Sequence, residues 1–205
     1  MTTVDDDQIE QLRRLWERYG RATVVVVVAV AVGILGGRFY GTYQTRQAQQ
    51  AAALYATYQQ PPAGQTAAEL AEKLRGEHPA SSYATFAVFD QAAQAVQAGD
   101  PQQAVQQLRW VAEHAGQQTD RGLARLRLAR VLLAQGKVAE AASALEHEAV
   151  GPSPAREELK GDIALAEGRP QQAREHYQQA LADLAGDAGA AALINLKLDA
   201  LGNRE

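Results

Sequence analysis

The apolar residues of this chain fall into two unlike regimes. From Ala22 to Gly37 the sequence reads ATVVVVVAVAVGILGG, sixteen residues without a charge. Beyond Thr42 the chain is polar, and its apolar residues recur at intervals of three and four, the spacing of one helix face. The first regime predicts a helix that is apolar all round. The second predicts a series of amphipathic helices.

A helix rises about 1.5 Å per residue, so the charge-free run covers roughly 24 Å against a bilayer core of roughly 30 Å. Arg21 and Arg38 can close the gap, because their stems lie along apolar surface while the guanidinium groups reach the headgroups. Tyr19, Phe39, Tyr40 and Tyr43 flank the run as interfacial aromatic residues do. These features predict one uncleaved membrane span over residues 20–41. A cleaved signal peptide would have a short basic leader, whereas the segment ahead of this run is long and patterned. A buried core helix would need more surrounding protein than a domain of this size supplies.

Basic residues set the orientation. Arg13, Arg14, Arg18 and Arg21 precede the span, and only Arg38 and Arg46 follow it closely. This places the N-terminus in the cytoplasm and the long C-terminal part across the membrane. Ala29, Gly33 and Gly37 form a ridge of small residues that would let a second helix approach, although small residues are common in spans without such a role. Ahead of the span, Ile9, Leu12, Leu15, Trp16 and Tyr19 form an apolar stripe opposite Glu10, Arg13, Arg14 and Glu17. Residues 1–19 thus read as a cytoplasmic amphipathic segment, lying on the membrane surface or docking a partner.

Residues 42–64 read as a connecting helix and linker, stopped by Pro61, Pro62 and Gly64. Residues 65–205 contain three copies of one template: AAQAVQAGDPQQAVQQLRWV, ARVLLAQGKVAEAASALEHE and GDIALAEGRPQQAREHYQQA. Aligned on Gly99, Gly136 and Gly168, each has a small residue seven positions earlier: Ala92, Ala129 and Gly161. Each has alanine five positions later, Ala104, Ala141 and Ala173, and a bulky residue nine positions later, Leu108, Leu145 and Tyr177. Ala180 adds a further small position in the third copy, where the first has Val111 and the second Glu148.

The glycines suit helix C-caps, and Pro101 and Pro170 suit the first turn of the following helix. The small residues let two antiparallel helices approach. One such hairpin cannot bury its apolar face alone, so neighbours must stack. The glycine spacings, 37 and then 32 residues, predict a longer turn near Gly116 to Asp120. Flanking helices are expected over Thr66 to Glu77, after Ser81 or Ser82, and over Ala190 to Leu201. The fold class is all-α: a single transmembrane helix, then a tetratricopeptide-like α-solenoid.

Composition narrows the chemistry. The formal net charge is −4 and cysteine is absent, so there is no electrostatic case for nucleic acid and no thiol chemistry. His78, His114, His147 and His176 fall at unrelated template positions, with no metal-ligand spacing. No nucleophile elbow or phosphate-cradling loop occurs. The expectation is a protein that is not an enzyme and holds no cofactor or metal. The first helices of the repeats would line a partner groove, with Phe89, Leu126, Arg130, Glu158 and Asp162 as its candidate residues. Phe86 and Phe89 would equally suit packing against the helix over Thr66 to Glu77.

The lead-in DQIEQLRRLWERYGR, the span ending GGRFY, and the stretches LRLARVLLAQGKVAEAASALE and LKGDIALAEGRPQQAREHYQQAL together resemble the YfgM family, the ancillary subunits of the bacterial SecYEG translocon. The resemblance runs from about Asp6 to Leu201. It implies an inner-membrane protein with a periplasmic tetratricopeptide domain. It also implies a place beside SecYEG and the periplasmic chaperone PpiD, assisting unfolded secretory proteins that emerge from the channel. The resemblance further links the cytoplasmic tail to the response regulator RcsB, a link on which only the amphipathic stripe bears. A scaffold for another envelope complex, in cell division or wall synthesis, would share the same architecture.

Overall fold

The structure, a computed structural model, describes residues 3–147, 149–184 and 186–202. These residues form α-helices joined by short connections, and no strand occurs among them. The chain divides into two units, residues 1–50 and 51–205.

Helix α1 runs without interruption over Thr3–Gln59. It passes through Gly33, Gly36, Gly37 and Gly41, residues that would weaken a helix in water. In a bilayer no water competes for the backbone groups, so the helix is the only way to satisfy them. The window of α1 long and apolar enough to cross a membrane begins at Val24, and none of it is covered by protein. Val25 and Leu35 are each 67% exposed, a cost that solvent water would not tolerate over a whole helix but lipid does. Of the stripe from Ile9 to Tyr19 only the Trp16 side chain is among those described, and it is exposed. Thr42 and Thr45 donate their hydroxyls to the carbonyls of Arg38 and Gly41, both at 2.9 Å, where the helix turns polar. Pro61, which has no N–H, ends it.

The second unit begins within α1. Ala51 and Tyr58 are buried in a cluster with Leu70, Leu74, Ala84 and Ala87. The end of α1 therefore joins the stack through a buried cluster that it shares with α2 (Ala67–Glu77) and with Ala84 and Ala87 of the helix that follows. Thr66 and Glu69 cap α2 reciprocally: the Thr66 hydroxyl accepts from the Glu69 N–H, and the Glu69 carboxylate accepts from the Thr66 N–H. Next come α3 (Ser82–Gln97), α4 (Pro101–His114), α5 (Gln118–Ala134), α6 (Val138–Glu146), α7 (Pro154–Ala166), α8 (Pro170–Asp183) and α9 (Ala188–Gly202). Each packs against its chain neighbours, and α5 also reaches α7. This nearest-neighbour packing is that of a solenoid.

Three hairpins share one turn. Gly99, Gly136 and Gly168 have φ of 75°, 76° and 76°, in the left-handed region that disfavours a side chain. In each, the residue after the glycine donates back to a carbonyl of the preceding helix: Asp100 to Ala95, Lys137 to Leu132 and Arg169 to Ala164, at 2.8–2.9 Å. That paired bonding satisfies carbonyls a helix end would otherwise leave open.

The longer first repeat is built differently from the expected long turn. Only residues 115–117 separate α4 from α5, and the extra length lies in both helices: α4 has 14 residues against 9 in α6, and α5 has 17 against 13 in α7. Ala115 is buried, and the Arg121 guanidinium donates to its carbonyl at 2.8 Å, which draws the connection tight.

A candidate partner groove in the repeat unit

The template residues form the inner packing of the stack. Ala92, Leu108, Ala129, Ala141 and Leu145 share one buried cluster. Ala173, Tyr177 and Ala180 share another with Ile194 and Leu201 of α9. Ala104 is also fully buried. Gly161 faces Tyr177 so closely that a Cβ there would sit 2.4 Å from the ring. Glu148 lies outside the described residues.

The candidate groove residues separate into two groups. Phe89 and Arg130 line one groove between α3 and α5, of about 400 Å³, with Ala92, Ala93, Val96, Leu108, Arg127 and Val131. The spacing of α3 turns residues 89, 93 and 96 to one face, and α5 brings 127, 130 and 131 opposite them. The Arg127 guanidinium lies over the Phe89 ring, 4.6 Å from its centre. Leu126 instead packs against the core cluster beside it. Phe86, half exposed, meets Tyr55 of α1 edge-on at 6.3 Å.

Glu158 and Asp162 are engaged by α9. The Lys197 ammonium donates to Glu158 Oε1 at 2.7 Å and to both Asp162 oxygens at 2.7 and 2.8 Å. The Tyr177 hydroxyl also donates to Asp162, at 2.7 Å. Burial and the Asp162 carboxylate both push the Tyr177 phenol well above its ordinary value. Arg130 reaches the other Glu158 oxygen at 3.4 Å. Glu158 and Asp162 are thus engaged inside the molecule, where they fasten α9. Sequence reading missed Lys197. Its one signal was a single lysine in an apolar helix, whose partners lie 35 and 39 residues earlier.

A second polar knot joins α1 to α3. The Tyr58 hydroxyl donates to Asp90, and Gln91 and Gln94 complete the set at 3.2 and 2.9 Å. Burial first, and then the bond to Asp90, push the Tyr58 phenol up to about 12. The histidines are dispersed. His114 stacks on Trp110, His176 pairs with Glu157 at 2.9 Å, and the His147 ring accepts from the Ala149 N–H. Among the described residues no three metal-ligating side chains converge.

An anchored stack of short helix hairpins, turning on glycine and closed by a terminal helix, defines a protein of the tetratricopeptide class. A family model described as a tetratricopeptide repeat-like domain matches residues 13–203. An ancillary SecYEG translocon subunit of Neisseria gonorrhoeae is 30% identical over 203 residues, which cover 96% of this chain and 97% of that protein. The Haemophilus influenzae protein of the same name is 27% identical, over 86% of this chain and 88% of its own length. One from Aggregatibacter actinomycetemcomitans is 26% identical, over 87% and 89%. The chain belongs to the YfgM family, the ancillary SecYEG translocon subunits, which carry a tetratricopeptide repeat-like domain. No solved structure matches it.

Proposed function

We propose that this protein is a non-enzymatic inner-membrane adaptor and chaperone of the Sec translocon, anchored by α1. The observation that carries this reading is the likeness, over nearly the whole chain, to proteins named as ancillary subunits of SecYEG. The basic residues ahead of the span support a cytoplasmic N-terminus and a periplasmic repeat unit. In this reading Ala29, Gly33 and Gly37 receive a neighbouring helix, and the groove between α3 and α5 receives polypeptide. Its partners are SecYEG, the chaperone PpiD, and secretory chains emerging unfolded into the periplasm. The cytoplasmic tail is the segment available to RcsB.

The test is co-purification from native membranes in mild detergent, with bound proteins identified by mass spectrometry. A Gly33→Leu, Gly37→Leu variant and an anchor-only fragment run beside the full chain. Translocon subunits are expected with the full chain and reduced with the double variant. Recovery of a cell-division or wall-synthesis complex without the translocon would overturn the proposal.

A further inference from the structure

We infer that the groove between α3 and α5 takes a segment of another protein that sets a bulky apolar side chain beside a carboxylate; this rests on reading the groove as a partner site. Phe89, Ala93, Val96 and Val131 give it apolar walls, and Val96 is 52% exposed. Apolar surface of this kind favours a large aliphatic or aromatic side chain but does not choose among sequences.

The charges make the choice. Two cations stand at the groove, Arg127 and Arg130. Arg130 reaches Glu158 at 3.4 Å. Arg127 has no carboxylate within ion-pairing distance among the described residues, and its guanidinium lies over the Phe89 ring. A guanidinium over a ring face, making no hydrogen bond to its own chain among the described residues, keeps N–H donors available to grip a carboxylate at the groove's edge. The nearby acids do not offset it. Glu158 and Asp162 are held by Lys197, and Asp90 by Tyr58 and Gln94. An acidic and apolar segment therefore matches the groove in both respects, whereas a basic one would meet an uncompensated like charge.

The experiment titrates the full-length protein, in non-ionic detergent, into short fluorescent peptides of leucine interleaved with aspartate, read by anisotropy. Companion peptides carry serine or lysine in place of aspartate. The aspartate peptide is expected to bind about tenfold more tightly than the serine peptide, the scale of one charge-assisted hydrogen bond. Arg127→Ala should remove that advantage, and Arg109→Ala, on a guanidinium held elsewhere by Glu140, should not. Ala93→Trp, at an exposed position in the groove, should abolish binding of every peptide. Circular dichroism confirms that these surface variants remain folded.

Equal binding of the three peptides, still blocked by Ala93→Trp, would overturn the carboxylate preference and leave the groove as a polypeptide site. Binding of none, or binding indifferent to Ala93→Trp, would overturn both. Self-association that Ala93→Trp abolishes, read by light scattering, would assign the groove to a second copy and overturn the proposal.

Discussion

Gly161 shows how little room a single residue can be left. Tyr177 is fully buried, and its hydroxyl is tied to Asp162, so the ring cannot retreat from an added methyl group. Gly161→Ala would gain about 1 kcal/mol in helix propensity. Overpacking costs typically about 1–3 kcal/mol, and the upper end applies where the neighbour is pinned. Net destabilisation is expected, visible as a lower melting temperature of the full-length protein by circular dichroism. Glu157 is the residue through which acid should act. Burial by itself would raise its carboxyl, but hydrogen bonds and attraction from Lys160 and His176 outweigh it and hold it below the ordinary value. A lowered carboxylate contributes stability that is complete above the unfolded value of about 4.3 and lost as the pH falls through the folded one. Glu157→Gln should therefore cost stability at neutral pH and none in strong acid. Melting curves of both proteins across that range, failing to converge at low pH, would contradict this.

At the scale of elements, α9 is the most dependent on a few side chains. Its Leu193 and Leu196 are exposed, and Ile194, Leu201 and Leu198 anchor it by burial. Lys197 supplies the rest. Lys197→Met keeps the stem but leaves Glu158 and Asp162 as adjacent, half-buried carboxylates on one helix face. The expected cost is about 2 kcal/mol. Hydrogen exchange should rise first across 188–202 and the facing turns of α7, while α3 to α5 stay protected. Uniform acceleration throughout the repeat unit would show instead that the stack opens as one body. The contrast between turns belongs to this scale too. Gly99, Gly136 and Gly168 end helices with the same hydrogen bonds whether aspartate, lysine or arginine follows, because backbone geometry rather than side-chain capping does the work.

For the whole molecule, the arginine distribution around the span makes a prediction that the helix itself does not. Protease added to sealed inner-membrane vesicles of cytoplasm-outward orientation should remove the tail before the span and spare the repeat unit. Digestion of the repeat unit in intact vesicles would reverse the orientation. The span needs no second unit to form. Backbone bonds in lipid have no competitor, so a run such as Ala22 to Gly37 is committed by composition alone.

That separates what the sequence settled from what the tertiary structure decided. Helix ends, hairpins and the span were legible because each depends on residues within a turn or two: a glycine free to take positive φ, a proline without a donor, an unbroken apolar run. Repetition made the stacking legible as well, since a hairpin with one apolar face needs neighbours. The site was legible only in part. Phe89 and Arg130 fall on the expected helix faces and share a groove. Glu158 and Asp162 fall at equivalent register positions but are occupied by Lys197, 35 and 39 residues away in sequence. The burial of Tyr58 at the end of α1, and the extra length of α4 and α5 in place of a long turn, were equally out of reach. Local pattern fixes which face a residue occupies; only the packing of distant helices determines whether a charge on that face is free or already paired.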